Sequence, residues 1–387
     1  VSHTHTLRSV DLFLARLPLL RPFTTSSHTK DHLEHILLRV RDQDGAEGWG
    51  ECASPSDPYY CSETTETSWH ILRDFLVPGL LGVEWGHPDE AAATWKKVRG
   101  NNFAKAGLEM ACWDLFCRVR QEPLARLLGG TRAEILSGVS LGIEPTVDGL
   151  IEQVERFLGQ GYRRIKMKIG PGHDVQYVSA VRERWPNALL MADANSAYSL
   201  DDDAHVAALK ALDGLDLMMI EQPLADDDIV DHARLQQQLR TPICLDESIH
   251  TVEDARKALD LNSCRIINIK VSRLGGLGEA RRVHDLCQAR GVPVWCGGMH
   301  EFGIGRAANV AICSLPGFTL PGDVSGSDRA YKEDIVDPPI RAVQGAIRVP
   351  WDRPGLGFDA NFERIQACSV RELTLSQEQV WAPVAAR

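Results

Sequence analysis

The chain has 387 residues, 44% of them hydrophobic and 25% charged, with a formal net charge of −11. That length and balance suit a globular protein of two or three domains, or one barrel with an attachment. The negative charge and the lack of any Lys/Arg cluster argue against nucleic acid or an anionic membrane as partner, and no apolar run reaches the roughly 18 residues that a membrane helix needs.

Ten cysteines are scattered without a C-x-x-C pair. Cys112, Cys117, Cys244 and Cys313 lie in apolar runs, which favours buried free thiols in a reducing compartment. The start, Val1-Ser-His-Thr-His, lacks the basic-then-apolar form of a signal peptide, so the expected location is the cytoplasm.

Taken in order, residues 7–17 alternate as a strand, and 33–41 with 46–50 form a hairpin around Asp42-Gln-Asp-Gly45. Pro22 to Asp31 and Glu51 to Tyr60 are expected loops, and His28, His32 and His35 are expected surface side chains. Helical segments follow near 62–77, 88–98 and 103–120, the last with Leu108, Cys112, Leu115 and Val119 on one stripe and Pro123 just beyond its end. Strands followed by helices, without alternation, predict a separate α+β unit over residues 1–130.

From residue 135 the pattern changes. Apolar strand candidates recur at 135–143, 163–169, 189–193, 217–221, 243–246, 265–270, 292–296 and 318–322. Helical patterns lie between them, among others at 147–159, 174–185, 200–212, 252–261, 278–290 and 304–314. Eight such units predict an α/β closed (β/α)-type barrel over 131–325, and no Gly-rich phosphate loop supports an open doubly wound sheet. The Pro- and Gly-punctuated segment 326–387 is expected to pack back on the N-terminal unit.

The charges in these strands carry the functional signal. In Arg163-Arg-Ile-Lys-Met-Lys-Ile-Gly170, Lys166 and Lys168 share one face of a strand. Asp193, Glu221, Asp246 and Lys270 then close four later strands, each 24 to 28 residues after the last. A charge at the end of each of five successive buried strands costs too much to serve packing alone. In a parallel barrel these ends share the face that holds the active site. Three converging carboxylates repel unless a cation neutralises them, and an all-oxygen set suits Mg²⁺, with Mn²⁺ also acceptable. The competing arrangement satisfies each carboxylate with a neighbouring Arg or backbone amide. Asn195 and Glu247 are candidate supporting residues. A lysine beside a divalent cation and a second lysine is expected to have a lowered pKa, making Lys168 a general base toward a carbon next to a carboxylate, with Lys166 as its support.

Lys166-Met-Lys168, Asp193-Ala-Asn195, Glu221-Gln-Pro223, Leu245-Asp-Glu-Ser248 and Asn268-Ile-Lys270 resemble the enolase superfamily, in its muconate-lactonizing-type branch, over about residues 7–357. Gly138-Val-Ser-Leu-Gly-Ile143, Trp295-Cys-Gly-Gly-Met299, Glu301-Phe-Gly-Ile-Gly-Arg306 and Leu320-Pro-Gly-Asp323 resemble its o-succinylbenzoate synthase / N-succinylamino acid racemase family. The resemblance implies a (β/α)7β TIM-like barrel with a capping domain completed by the C-terminal tail, acting on a small carboxylate in an even-numbered homo-oligomer. It implies Lys168 and Lys270 as the acid/base pair and Asp193, Glu221 and Asp246 as metal ligands. Ser140, Met299 and Glu301 fall inside its motifs, and Arg273 matches a position favoured by the racemase-containing subgroup. His300 departs from the family, which carries an aliphatic residue there. Its ring either meets substrate or turns into a neighbouring helix. The loops around Phe23, Tyr59 and Tyr60 correspond to those that close over substrate.

The expected reaction is β-elimination to 2-succinylbenzoate of menaquinone synthesis, with racemisation of an N-acylamino acid as the alternative on the same residues. A pyridoxal-phosphate barrel with Lys168 as Schiff base leaves the strand-end carboxylates unexplained, and a barrel that binds an acidic metabolite without turnover leaves an intact set of base, metal ligands and opposing lysine unused. Trp295 is expected to pack in the barrel wall.

Overall fold

Alternation of apolar and polar residues from His5 onward gives a long first strand, His5–Thr24, whose buried side chains include Leu7, Val10, Leu12 and Leu14. A computed structural model describes residues 4–24 and 29–380, the side chains of residues 23, 24, 379 and 380 excepted. His28 and the chain's first three residues therefore lie outside the described residues, as does the Phe23 side chain.

The first strand is the hub of an antiparallel sheet. It pairs with Thr29–Asp42 on one side and with Ser369–Ser376 on the other, and Glu47–Cys52 completes the order. The tail thus returns to the N-terminal sheet. Pro22 to Asp31 is not the open loop expected, because Phe23 pairs with Lys30 and Thr24 with Thr29. Its β-branched threonines extend the hairpin instead. His35, expected at the surface, is buried: the strand's period of two turns it inward onto Glu51, 2.7 Å away, and against Phe302. His32 is exposed.

Helices Thr65–Ile71, Pro88–Ala93 and Asn102–Arg120 match the predicted segments, the first continuing through a π-helical turn to Leu80. A short helix, Leu124–Leu128, follows Pro123. Asn102–Arg120 buries Phe103 to Cys117 almost all round rather than along one stripe. It is sandwiched between the cap sheet and the barrel, and it lies directly on the sheet backbone. A Cβ on Gly50 would stand 2.1 Å from the carbonyl oxygen of Gly107. Only glycine allows that approach.

The second unit is a TIM-like barrel. Seven parallel strands run in chain order: Val139–Leu141, Arg164–Lys168, Leu189–Asp193, Ile220–Glu221, Ile243–Leu245, Ile266–Ile269 and Val294–Cys296. The eighth candidate closes the ring with single parallel bridges, Phe318 to Val294 and Gly322 to Ser137, rather than a full ladder. The predicted 135–143 strand is split. Glu134–Leu136 pairs antiparallel with Ala346–Arg348, and the barrel strand starts after Gly138, where a Cβ would strike the Arg164 guanidinium at 2.6 Å. Met191, Met219, Cys244, Ile266 and Trp295 form a small apolar cluster apart from the main core. Trp295 is wholly buried and carries Lys166 and Arg164 each 5.0 Å from its ring, so it lies under the charged site rather than merely in the wall. All ten cysteines are free, eight of them buried. Among the described residues no helix is long and apolar enough to cross a membrane.

Candidate active site

Strand register brings the first charges to one level. Lys168 pairs across the sheet with Asp193, and Asp193 with Glu221. The ladder then passes from Glu221 to Cys244, so Asp246 stands two residues further along the neighbouring strand. Lys270 follows the next strand, beyond Ile269. Lys168 and Lys270 therefore reach the same mouth from separated parts of the ring, and both line one cavity of about 1360 Å³ between cap loops and barrel.

On one side, Lys168 lies 2.6 Å from Asp193 and donates to the Asn195 side chain. Lys166 sits beneath, within 3.2 Å of both Asp193 and Glu221 and 2.7 Å from Asp323. Burial works against ionisation of Asp193, but the two lysines hold its carboxyl well below the usual range. Glu221 is raised, by burial and by the charge of Asp193. Asn268 donates to Glu221 over 2.7 Å and accepts from the Gly297 backbone, fixing that carboxyl in place.

On the other side, Lys270 lies 2.8 Å from Asp246, and Arg273 donates to the same carboxylate. Tyr60, from the cap loop, donates to Asp246 and accepts from Lys270, each over 3.0 Å. Burial pulls Lys270 down, but Asp246 and Tyr60 more than reverse it, and Lys166 is likewise raised by Asp323, Glu221 and Asp193 against its burial. Lys166 and Lys270 are both held charged, because each ammonium sits among carboxylates.

The expected three-carboxylate cage is not closed either. Among the described residues no three His, Cys, Asp or Glu side chains converge so as to hold a metal. Asp193 and Glu221 gather about Lys166, while Asp246 turns to Lys270 and Arg273. Opposite charges in a buried site satisfy one another in this way. Glu247 Oε2 nonetheless keeps no hydrogen bond, and Asp246 Oδ2 has only the Lys270 ammonium, 2.8 Å away.

The remaining expected residues fall around the same cavity. Asn195, in a left-handed backbone conformation, donates to Glu247 over 2.7 Å, and burial with the charges of Asp246 and Asp193 pushes Glu247 up to about 7. Ser140, Met299 and Glu301 line the cavity, and Glu301 accepts from Asn309. His300 lines it too, rather than turning into a helix. Three members were not legible as site residues. Asp323, after the eighth strand candidate, joins Lys166 to the buried Arg164. Gln222 accepts from the backbone of Asp246 and Ser248, holding the turn that presents Asp246. Tyr60 was visible only as a cap-loop aromatic. Its signal would have been a hydroxyl poised opposite Asp246, which a linear sequence does not contain.

The barrel with its cap has counterparts among known proteins. Residues 149–365 match the enolase C-terminal domain-like model, and residues 9–129 match the N-terminal domain of mandelate racemase / muconate lactonizing enzyme. The chain belongs to the enolase superfamily. Among the superfamily's enzymes it is 54% identical to an o-succinylbenzoate synthase of Geobacillus stearothermophilus, over 91% of this chain and 92% of that protein. An N-succinylamino acid racemase of Amycolatopsis is 47% identical, over 91% and 94%. A crystal structure of an enolase superfamily member from Listeria innocua superposes with a TM-score of 0.92 at 38% identity, over 96% and 99% of the two chains. The muconate lactonizing enzyme of Pseudomonas fluorescens, solved with muconolactone, gives 0.89 at 26% identity, over 95% and 100%.

Proposed function

We propose that this enolase superfamily member is an o-succinylbenzoate synthase-type lyase. The observation that carries the reading is Lys168 held by Asp193 and Asn195 on one side of a single cavity, with Lys270 on another. The 54% identity to an o-succinylbenzoate synthase supports the same choice.

The donor set fits a hard divalent cation. Asp193, Glu221 and Asp246 are all-oxygen donors at adjacent strand ends, now held by the lysines, and beside them the buried Glu247 Oε2 has no hydrogen bond. Mg²⁺ held by these three would supply positive charge to the substrate carboxylate and to the added charge that deprotonation creates.

The chain's own residues then divide the work. Lys168, as the neutral amine, takes the α-proton of a hydroxylated cyclohexadiene carboxylate and becomes the ammonium. The resulting ene-diolate expels the β-hydroxyl as its C–O bond breaks, and the Lys168 ammonium returns the proton, so water leaves and the ring becomes aromatic. Lys270, kept charged by Asp246, faces the ene-diolate electrostatically. Lys166 keeps Asp193 and Glu221 in register, and the cap loop bearing Tyr60 closes over the mouth.

The second reading is racemisation of an N-succinylamino acid, with Lys168 and Lys270 working on opposite faces of the α-carbon. The 47% identity to an N-succinylamino acid racemase favours it as an additional activity. The proposal carries the cytoplasmic location, homo-oligomeric state and division near residues 130 and 325 expected from the sequence.

The test is direct. Protein supplied with Mg²⁺ and the cyclohexadiene precursor should develop the ultraviolet absorbance of the aromatic product. Absence of that product, with an intact far-ultraviolet spectrum, contradicts the proposal.

A further inference from the structure

The mechanism gives Glu247 no work, yet the chain buries it beside Asp246 at the barrel mouth. Asp193, Glu221, Asp246 and Asp323 each have a lysine within 3.2 Å. Glu247 is buried as well, but among the described residues no lysine or arginine comes within 4 Å of it. Its Oε1 accepts from the Asn195 side chain at 2.7 Å, and its Oε2 accepts from nothing. A carboxylate buried on a single hydrogen bond is costly, which points to a task for that bond.

The bond ends on the residue that holds the base. Asn195 accepts from Lys168 through Oδ1 and donates to Glu247 through Nδ2. Its backbone is left-handed, with φ of 41°, a conformation that asparagine tolerates better than most residues. The Asn195 N–H donates to Asp193 over 3.1 Å, and the next N–H, of Ser196, donates to the Gln222 carbonyl over 2.8 Å. With the backbone pinned, the remaining freedom is a half-turn of the amide, which exchanges its oxygen and nitrogen. A carboxylate accepts and does not donate, so Glu247 draws the amide nitrogen to itself and leaves the oxygen facing Lys168. Turned the other way, the amide would set donor against donor and release the lysine.

Direction matters at Lys168 Nζ. The nitrogen is tetrahedral, with three positions besides Cε. Asp193, 2.6 Å away, and Asn195 take two of them. The third is left for the cavity that Lys168 lines, and through it a proton is both taken and returned. Asp193 alone would leave the amine free to swing about a single contact. Lys270 has tethers of its own, Asp246 at 2.8 Å and the Tyr60 hydroxyl at 3.0 Å, and neither passes through Asn195.

We propose that Glu247 is a positioning residue for the base: it holds the Asn195 amide in the one orientation that aims Lys168 at the substrate α-carbon. The inference rests on the proposed chemistry at Lys168. It gives Glu247 a task toward the base rather than toward the carboxylates beside it, and it makes the two lysines separable, because only Lys168 depends on the lock.

The experiment follows loss of the α-proton in D₂O from each enantiomer of an N-succinylamino acid, on Mg²⁺-supplied wild type, Glu247→Leu, Glu247→Gln and Asn195→Gly. Glu247→Leu keeps the bulk and removes the acceptor, and Asn195→Gly keeps the left-handed turn and removes the amide. Both should slow exchange from the enantiomer facing Lys168 by about 10–100-fold, in kcat rather than KM, the scale of a misaimed catalytic group. Exchange from the enantiomer facing Lys270 should change by less than about 3-fold. Glu247→Gln still offers an oxygen to Asn195 and should recover most of the loss. Equal losses on both faces, no loss on the Lys168 face, or a Glu247→Gln as slow as Glu247→Leu overturn the assignment. Crystal structures of the two Glu247 variants read the lock without turnover: Lys168 Nζ should leave its place beside Asp193 and Asn195 in Glu247→Leu and keep it in Glu247→Gln. If wild type exchanges neither enantiomer yet Lys168 moves in this way, the chemistry is wrong and the lock stands. Lys168 unmoved in Glu247→Leu refutes the lock whatever the rates.

Discussion

Glu109 joins the cap to the barrel, and its ionisation should be visible in stability. It projects from helix Asn102–Arg120 and accepts from Leu277 N at 2.6 Å, Gly278 N at 2.8 Å and Trp113 Nε1 at 3.0 Å. The two backbone donors open helix Leu277–Ala289, so a cap side chain caps a barrel helix. Burial nevertheless pushes Glu109 up to about 7 from an ordinary 4.5, against the pull of those donors. A carboxyl whose folded pKa is raised contributes its full stability only below the unfolded value, and that contribution is lost as pH climbs through the folded value. A shift of this size corresponds to about 3 kcal/mol, most of it between pH 5 and pH 7. Glu109→Gln removes the titration but places an amide donor against a backbone N–H, at a pH-independent cost of about 1–3 kcal/mol. Urea unfolding followed by tryptophan fluorescence should show the wild type's advantage over Glu109→Gln shrinking by about 2–3 kcal/mol between pH 5 and pH 8. A gap constant across that range would refute the reasoning and leave Glu109 ionised throughout.

Tyr60→Phe removes the hydroxyl shared by Asp246 and Lys270, so aromatic product should form about tenfold more slowly with the fold intact; an unchanged rate would detach the cap loop from the chemistry. Asp323→Asn strips a counter-charge from both Lys166 and Arg164, and about 3–5 kcal/mol of stability should go with it, read as a fall in melting temperature. Mg²⁺ at a hundred times its dissociation constant should stabilise the protein by about 2.7 kcal/mol, and Asp193→Asn should abolish that gain if the carboxylates hold the ion. Gly50→Ala should cost several tenths to a few kcal/mol, because its Cβ collides with the Gly107 carbonyl, and a neutral result would contradict the close helix–sheet contact.

The barrel was readable because its strands are short and apolar and five successive ones are closed by a charge. Lys168, Asp193 and Glu221 came to one level because a parallel ladder preserves that order. What the sequence concealed is long-range. Asp323 meets Lys166 only because the eighth strand closes on the first, and no local pattern announces that pairing. Tyr60 reaches Asp246 across the cap–barrel boundary, and Arg329 reaches Ser140 from a turn in the C-terminal segment. His35 was misplaced because a polar residue in a hairpin reads as solvated until its buried partner, Glu51, is seen. The ion pairs of Lys166 and Lys270 were hidden for a related reason. Convergence of the strand ends was foreseen, but the pairing of each ammonium with a particular carboxylate was not.

The central claim is that Lys168 moves the α-proton, and its most direct test is isotope exchange on an intact fold. Wild type and Lys168→Ala, both supplied with Mg²⁺ and matched by circular dichroism, are incubated with an N-succinylamino acid in D₂O, and the α-position is followed by NMR for each enantiomer. The wild type should take up α-deuterium, and Lys168→Ala should lose roughly 10²–10⁴-fold or more in exchange from the enantiomer whose proton faces strand Arg164–Lys168. Exchange from both enantiomers at the wild-type rate in Lys168→Ala would contradict it.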